Sequence, residues 1–216
     1  MKTEAATFLE ALVRGDRRSA QRLVDGVLDR GRTLRELYLD VFQPALQEIG
    51  RRWQYNEVTV AEEHLATAIT QAAMGRAFER VYRWRDSRSP SLIAACADDE
   101  RHQLGLRMVC DLLELEGWDT TYLGASVPVE SLVDMVLKRR PDVVALSASI
   151  GPNLPRVRGA VAAIRESGVS PMPLIVVGGL AVAGDAKLAS RLGADLTAVS
   201  AADAVELLTA RVAQRA

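Results

Sequence analysis

The hydrophobic period of this chain changes once, near residue 90, and that change restricts the folds open to it. Before it, apolar residues recur at helical spacing. After it, short apolar runs of strand length alternate with amphipathic stretches. Phe8, Leu9, Leu12 and Val13 share one helical face, and Gly15-Asp16 breaks it. Ala20, Leu23, Val24, Val27 and Leu28 form a second stripe, closed by Gly31. Thr33, with Glu36 three residues on, caps a third helix that carries Leu34, Leu37, Tyr38, Val41 and Phe42. Pro44 is expected to kink it, and Leu46, Ile49 and Trp53 follow. After Asn56, residues 58–81 read as a fourth, long helix. Four helices with short connections predict a small bundle over residues 1–86.

Asp86-Ser87-Arg88-Ser89-Pro90-Ser91 is a polar link and the predicted domain boundary. Strands are expected at 92–97, 120–123, 143–147, 174–178 and 195–199. Helices are expected at 104–116, 129–139, 154–167, 183–192 and 202–214. Such alternation over residues 91–216 predicts an α/β domain with a parallel, doubly wound sheet covered on both faces.

The bulk numbers exclude several function classes. Hydrophobic residues make up 49% of the 216, which is enough for a packed core. With 27 basic and 28 acidic residues there is no general attraction to nucleic acid. No apolar run reaches the roughly eighteen residues of a membrane span, and the first residues lack a signal-peptide core. Cys96 and Cys110 fall in a predicted strand and helix, as buried thiols of a cytoplasmic protein. They form no close ligand pair, so a zinc site built from them and the two histidines is rejected.

One loop carries the chemistry. Directly after Leu92-Ile93-Ala94-Ala95-Cys96-Ala97 comes Asp98-Asp99-Glu100-Arg101-His102-Gln103-Leu104-Gly105. Loops at the carboxyl ends of parallel strands line the crevice of such a sheet. A neutral imidazole is a good transition-metal ligand, and a carboxylate on its other nitrogen fixes the tautomer and raises its basicity. Gly105 lets backbone approach something bulky. A lone histidine in such a loop is ordinarily just a loop residue, so the neighbouring loops decide. These are Ser147-Ala148-Ser149-Ile150-Gly151, Gly178-Gly179-Leu180 and Val199-Ser200-Ala201, each with small or hydroxylated residues at the strand end, as befits a slot. None has the glycine pattern of a dinucleotide fingerprint or a phosphate loop.

Taken together, Glu100-x-His102-x-x-Gly105, Ser147-x-Ser149 and Gly178-Gly179 resemble the cobalamin-binding Rossmann-like domain. That family's usual pattern has Asp, His and Gly, then Ser-x-Leu, then Gly-Gly. Glu100 stands for the aspartate and Ser149 for the leucine. The resemblance covers the whole chain: a four-helix cap followed by a five-stranded parallel, flavodoxin-like domain. It implies that His102 is the lower cobalt ligand, held by Glu100, and that Ser147, Ser149, Gly178 and Gly179 line the slot for the nucleotide tail.

In the cap, Trp53-x9-Glu63-His64, with Val60 between, resembles the adenosylcobalamin photoreceptors. There the tryptophan covers the adenosyl group, the valine packs near it, and the glutamate and histidine line the same pocket. The resemblance implies a non-enzymatic light sensor in which photolysis of the cobalt–carbon bond changes the cap and sheet-domain arrangement and signals to a protein partner or a second copy. The alternative is a corrinoid protein that carries methyl groups between methyltransferases. With no helix-turn-helix segment or basic stripe, direct DNA binding is not expected. Gln54 stands where some of these receptors have a histidine that captures cobalt. Photocobilins, a stand-alone group, also bind a bilin such as biliverdin. Tyr55, Arg83, Trp84 and Arg85 are the candidates for one, although exposed arginines at a helix end account for the same pattern.

Overall fold

The computed structural model describes residues 2–82, 90–182 and 185–214. The chain divides into two compact units, Met1–Trp84 and Arg85–Ala216. Arg83, Trp84 and Arg85, and residues 86–89 of the expected link, lie outside the described residues.

The first unit is helical. α1 spans Thr3–Val13, α2 Arg17–Asp29, α3 Leu34–Leu37, α4 Gln43–Gln54 and α5 Val60–Val81. Local signals set their starts. Asp16 accepts from the Ser19 amide, and Thr33/Glu36 and Thr59/Glu62 each close a reciprocal capping box. Between α3 and α4, Tyr38–Phe42 form a π-helical turn, in which the Gln43 amide bonds the Tyr38 carbonyl. The irregularity expected at Pro44 therefore lies one turn earlier. Pro44 cannot donate to the preceding turn, and the widened turn accommodates its ring without breaking the rod. Phe8, Leu12, Val24, Val27, Leu37, Tyr38, Phe42 and Met74 fill the core, with the Phe8 and Phe42 rings 4.9 Å apart. Truncating such an aromatic costs about 3–5 kcal/mol. Val13 and Trp53 belong to the apolar stripes by spacing yet stay exposed.

The second unit is α/β. Its strands are β1 Ser91–Ala97, β2 Asp119–Val127, β3 Val143–Ser147, β4 Leu174–Gly178 and β5 Leu196–Thr197. Its helices are α6 Leu104–Leu115, α7 Val129–Arg139, α8 Leu154–Glu166, α9 Ala186–Arg191 and α10 Ala201–Ala213. All pairings are parallel, in the order β2-β1-β3-β4-β5, the flavodoxin-like winding. One sheet face presents Ile93, Val144, Leu146, Ile175 and Val177 to Leu132 and Val136 of α7 and to Val157, Val161 and Ile164 of α8. The alternate residues occupy the opposite face, the side of α6 and α10. β2 is longer than expected because it continues through two register shifts against β1. β5 is shorter, with only Leu196 and Thr197 in its described span. Residues 183–184 of the helix expected at 183–192 lie outside the described residues, and Asp185 caps α9.

Candidate functional site

Past Ala97 the chain turns through Asp98 and Asp99, the latter left-handed at φ 64°. Arg156 of α8 pairs with both aspartates. Glu100 then folds back under the turn and is fully buried. Its Oε1 accepts from the His102 amide at 2.9 Å and lies 2.5 Å from His102 Nδ1. Its Oε2 accepts from the Ser149 amide at 2.8 Å and from Asn153 Nδ2 at 3.0 Å. Burial works against the ionised carboxyl, but the hydrogen bonds from His102, Asn153 and Ser149 outweigh it and hold it down to about 2. An ionised Glu100 makes Nδ1 the protonated nitrogen, so Nε2 carries the lone pair that would donate to a metal. The imidazole itself is 47% exposed at the sheet's carboxyl edge.

Beside this loop the sheet is thin. Cys96, Ser147 and Gly178 lie level on three adjacent strands, and Ala94, Ala145 and Val176 form the row below. A Cβ on Gly178 would meet nothing within 4 Å, so there is open space beside Ser147 at this edge. Gly105, the second residue of α6, is likewise open. Gly179 differs. Its φ is +94°, and a Cβ there would stand 2.2 Å from the Ala148 carbonyl oxygen, so glycine is required by the backbone whatever fills the slot. The loops after β3, β4 and β5 each leave one large apolar side chain exposed, Ile150, Leu180 and Val199. Burial pushes the Cys96 thiol up to about 12, so it stays protonated.

The remaining candidates lie in the helical unit. Trp53 sits at the end of α4, and Val60, Glu63 and His64 open α5 across one short connection. Trp53 is 40% exposed, and Tyr55, Val60 and Leu65 are exposed around the same connection. Glu63 lies 3.7 Å from His64 Nε2 and accepts from the Thr67 hydroxyl. Arg51 bridges Glu48 and Glu57 and covers the Tyr55 ring, which ties the connection down. Among the described residues no group of three or more His, Cys, Asp or Glu is placed to hold a metal. A single imidazole with an oriented tautomer suits a metal that brings its other ligands with it.

Asn153 is the functional residue that the sequence did not single out. It stands at the N-cap of α8, but its side chain makes no cap hydrogen bond and turns to Glu100 instead.

The B12 binding domain family matches residues 90–209, and a second B12 binding domain family matches residues 4–77. The chain is 33% identical over 174 residues to the HTH-type transcriptional repressor CarA of Myxococcus xanthus, covering 79% of this chain and 57% of that protein. It is 27% identical over 199 residues to the trimethylamine corrinoid protein of Methanosarcina barkeri, covering 91% and 90%. The chain thus spans less than two thirds of the repressor's length. The solved monomethylamine corrinoid protein of Methanosarcina barkeri superposes with a TM-score of 0.81 at 19% identity, over 93% of this chain and 94% of that one, a likeness of fold. With the oriented histidine, the open row of small residues and more than half of the chain matched, this protein belongs to the B12 binding domain family.

Proposed function

We propose that the protein is an adenosylcobalamin-dependent light sensor in which His102 is the lower ligand of cobalt. The residues fit the cofactor. Glu100 fixes the imidazole tautomer, and the open space at Gly178 beside Ser147 is the kind of cradle a nucleotide tail fills. Bound adenosylcobalamin supplies a cobalt–carbon bond that visible light breaks. Ser149 and Asn153 keep Glu100 charged, and Ile150, Leu180 and Val199 offer apolar contact at the same edge.

The observation that carries the sensor reading is Trp53. A tryptophan left 40% exposed, with Tyr55, Val60 and Leu65 exposed nearby in sequence, is an apolar group that its own helical unit covers only in part. Trp53 and Val60 would contact the adenosyl group, with Glu63 and His64 beside it. The proposed signal is a change in the arrangement of the two units, read by a protein partner or a second copy without enzymatic turnover. Gln54 offers no imidazole, so His64 is the residue of the helical unit that could supply one to the cofactor after illumination. A bilin is a further candidate chromophore, for which Tyr55 is the one described residue. The reading places the protein in the cytoplasm. Among the described residues no helix is long and apolar enough to cross a membrane.

The second reading, a methyl-carrying corrinoid protein that serves methyltransferases, is favoured by the alignment to the trimethylamine corrinoid protein over nine tenths of both chains. One experiment separates the two. The protein is loaded with adenosylcobalamin in the dark and its spectrum is recorded before and after green light. The sensor reading expects a lasting spectral change and a change in hydrodynamic size or partner binding. A spectral change with no change in hydrodynamic size or partner binding transfers the protein to the carrier reading.

A further inference from the structure

The loop that carries His102 is gripped from a second side, by the irregular end of β2. We propose that Tyr122 and Ser126 are positioning residues for His102 and set what fraction of bound cofactor is imidazole-ligated. This rests on the reading of His102 as the cobalt ligand.

β2 pairs regularly with β1 as far as Ala94↔Tyr122, then shifts register twice to reach Ala97↔Val127. Over that stretch β1 advances three residues (94 to 97) and β2 five (122 to 127), so β2 carries two extra residues. Gly124 at φ 82° and Ser126 at φ 49° absorb them, and the added length runs beside the ligand loop. There the Tyr122 hydroxyl lies 2.9 Å from Gln103 Oε1 and 3.3 Å from the Gln103 carbonyl, at the residue after the ligand. The Ser126 amide donates to the Glu100 carbonyl at 2.9 Å, and its hydroxyl accepts from the Asp99 amide at 3.0 Å. A Cβ on Gly124 would stand 3.1 Å from Gln103 Oε1, so the approach is close.

The grip is itself anchored. Arg107 of α6 covers the Tyr122 ring at 5.4 Å and is paired with the buried Asp111. Burial raises the phenol's pKa, so it remains a donor. On the β1 side the Cys96 thiol meets the His102 carbonyl at 3.8 Å. Glu100 thus orients the ring, while β2 fixes the backbone on either side of it. A bulged edge strand needs only glycine and tight turns. It does not need a phenol aimed at the residue next to the ligand, and this is what marks Tyr122 as positioning rather than merely structural.

The test compares Tyr122→Phe and Ser126→Ala with Thr120→Ala, which removes a hydroxyl bonded to Glu114 on the same strand but away from the loop. Each full-length variant is titrated with hydroxocobalamin, and the imidazole-ligated fraction is read from absorption and from the paramagnetic spectrum of the reduced Co(II) form. Amide exchange over residues 99–103 is measured without cofactor. Tyr122→Phe keeps the ring on Arg107, yet it is expected to bind roughly tenfold more weakly, the low end for outer-sphere partners of a ligand. It should show a mixed spectrum and faster exchange in the loop, and Ser126→Ala should do the same. Thr120→Ala should lose stability only. Wild-type affinity and spectrum in both loop variants, or an equal shift in Thr120→Ala, overturns the inference. A wild-type protein without an imidazole signature overturns the assignment of His102 itself, and this inference with it.

Discussion

Glu100 Oε1 lies 2.5 Å from His102 Nδ1, joining a fully buried carboxylate to a half-exposed imidazole. The buried partner cannot move and the exposed one is held to a single orientation, which is how a ligand is pre-aligned. Glu100→Gln keeps the shape and removes the charge. We expect cobalamin affinity to fall by roughly 10- to 100-fold, with the imidazole-ligated spectrum retained in part. Equilibrium titration with hydroxocobalamin measures both.

The same carboxylate makes the cofactor-free protein acid-sensitive. Its folded pKa, about 2, lies below the ordinary 4.5, so its contribution is complete above about pH 4.5 and disappears as pH falls toward 2. At 1.36 kcal/mol per unit this amounts to about 3 kcal/mol. Urea unfolding at pH 6 and pH 3 should show wild type losing about 2 kcal/mol more stability than Glu100→Gln, the share of that contribution already gone at pH 3. Equal losses would mean that Glu100 is not ionised in the native state.

Asn153→Ala removes one donor to Glu100 Oε2 and leaves a buried acceptor short. We expect a loss of about 1–3 kcal/mol in unfolding free energy. Asn153→Asp should be worse, because it sets a second carboxylate 3.0 Å from the first.

The two glycines that follow one another in sequence should respond differently. Gly178→Leu fills open space, so the protein should fold with near-normal stability and lose cobalamin. Gly179→Ala meets the Ala148 carbonyl in a left-handed conformation, so it should unfold more easily, by roughly 1–3 kcal/mol or more. Thermal unfolding and cofactor titration on the same preparations separate the two effects.

Much of this was legible in the sequence for reasons that are local. The strands after residue 90 are short apolar runs, and Glu100, His102 and Gly105 follow the first at fixed spacing. The π turn before Pro44 was not legible, because a widened turn leaves the helical stripe of Tyr38, Val41 and Phe42 nearly unchanged. Asn153 belongs to no motif in the sequence. Only the fold brings it across 53 residues of chain to Glu100. Tyr122 carries no signal within the strand expected at 120–123, since the register shift beside it depends on pairing with β1. Gly178 and Gly179 look alike in sequence, and only the position of the Ala148 carbonyl separates them.

The most direct measurement of the central claim is the paramagnetic spectrum of the reduced Co(II) form bound to protein grown with 15N-histidine. If His102 is the lower ligand, each cobalt line splits into a doublet in the labelled protein and a triplet in the unlabelled one, and His102→Ala abolishes the splitting while His64→Ala leaves it intact. Splitting that is insensitive to the label, or that survives His102→Ala, would contradict the account.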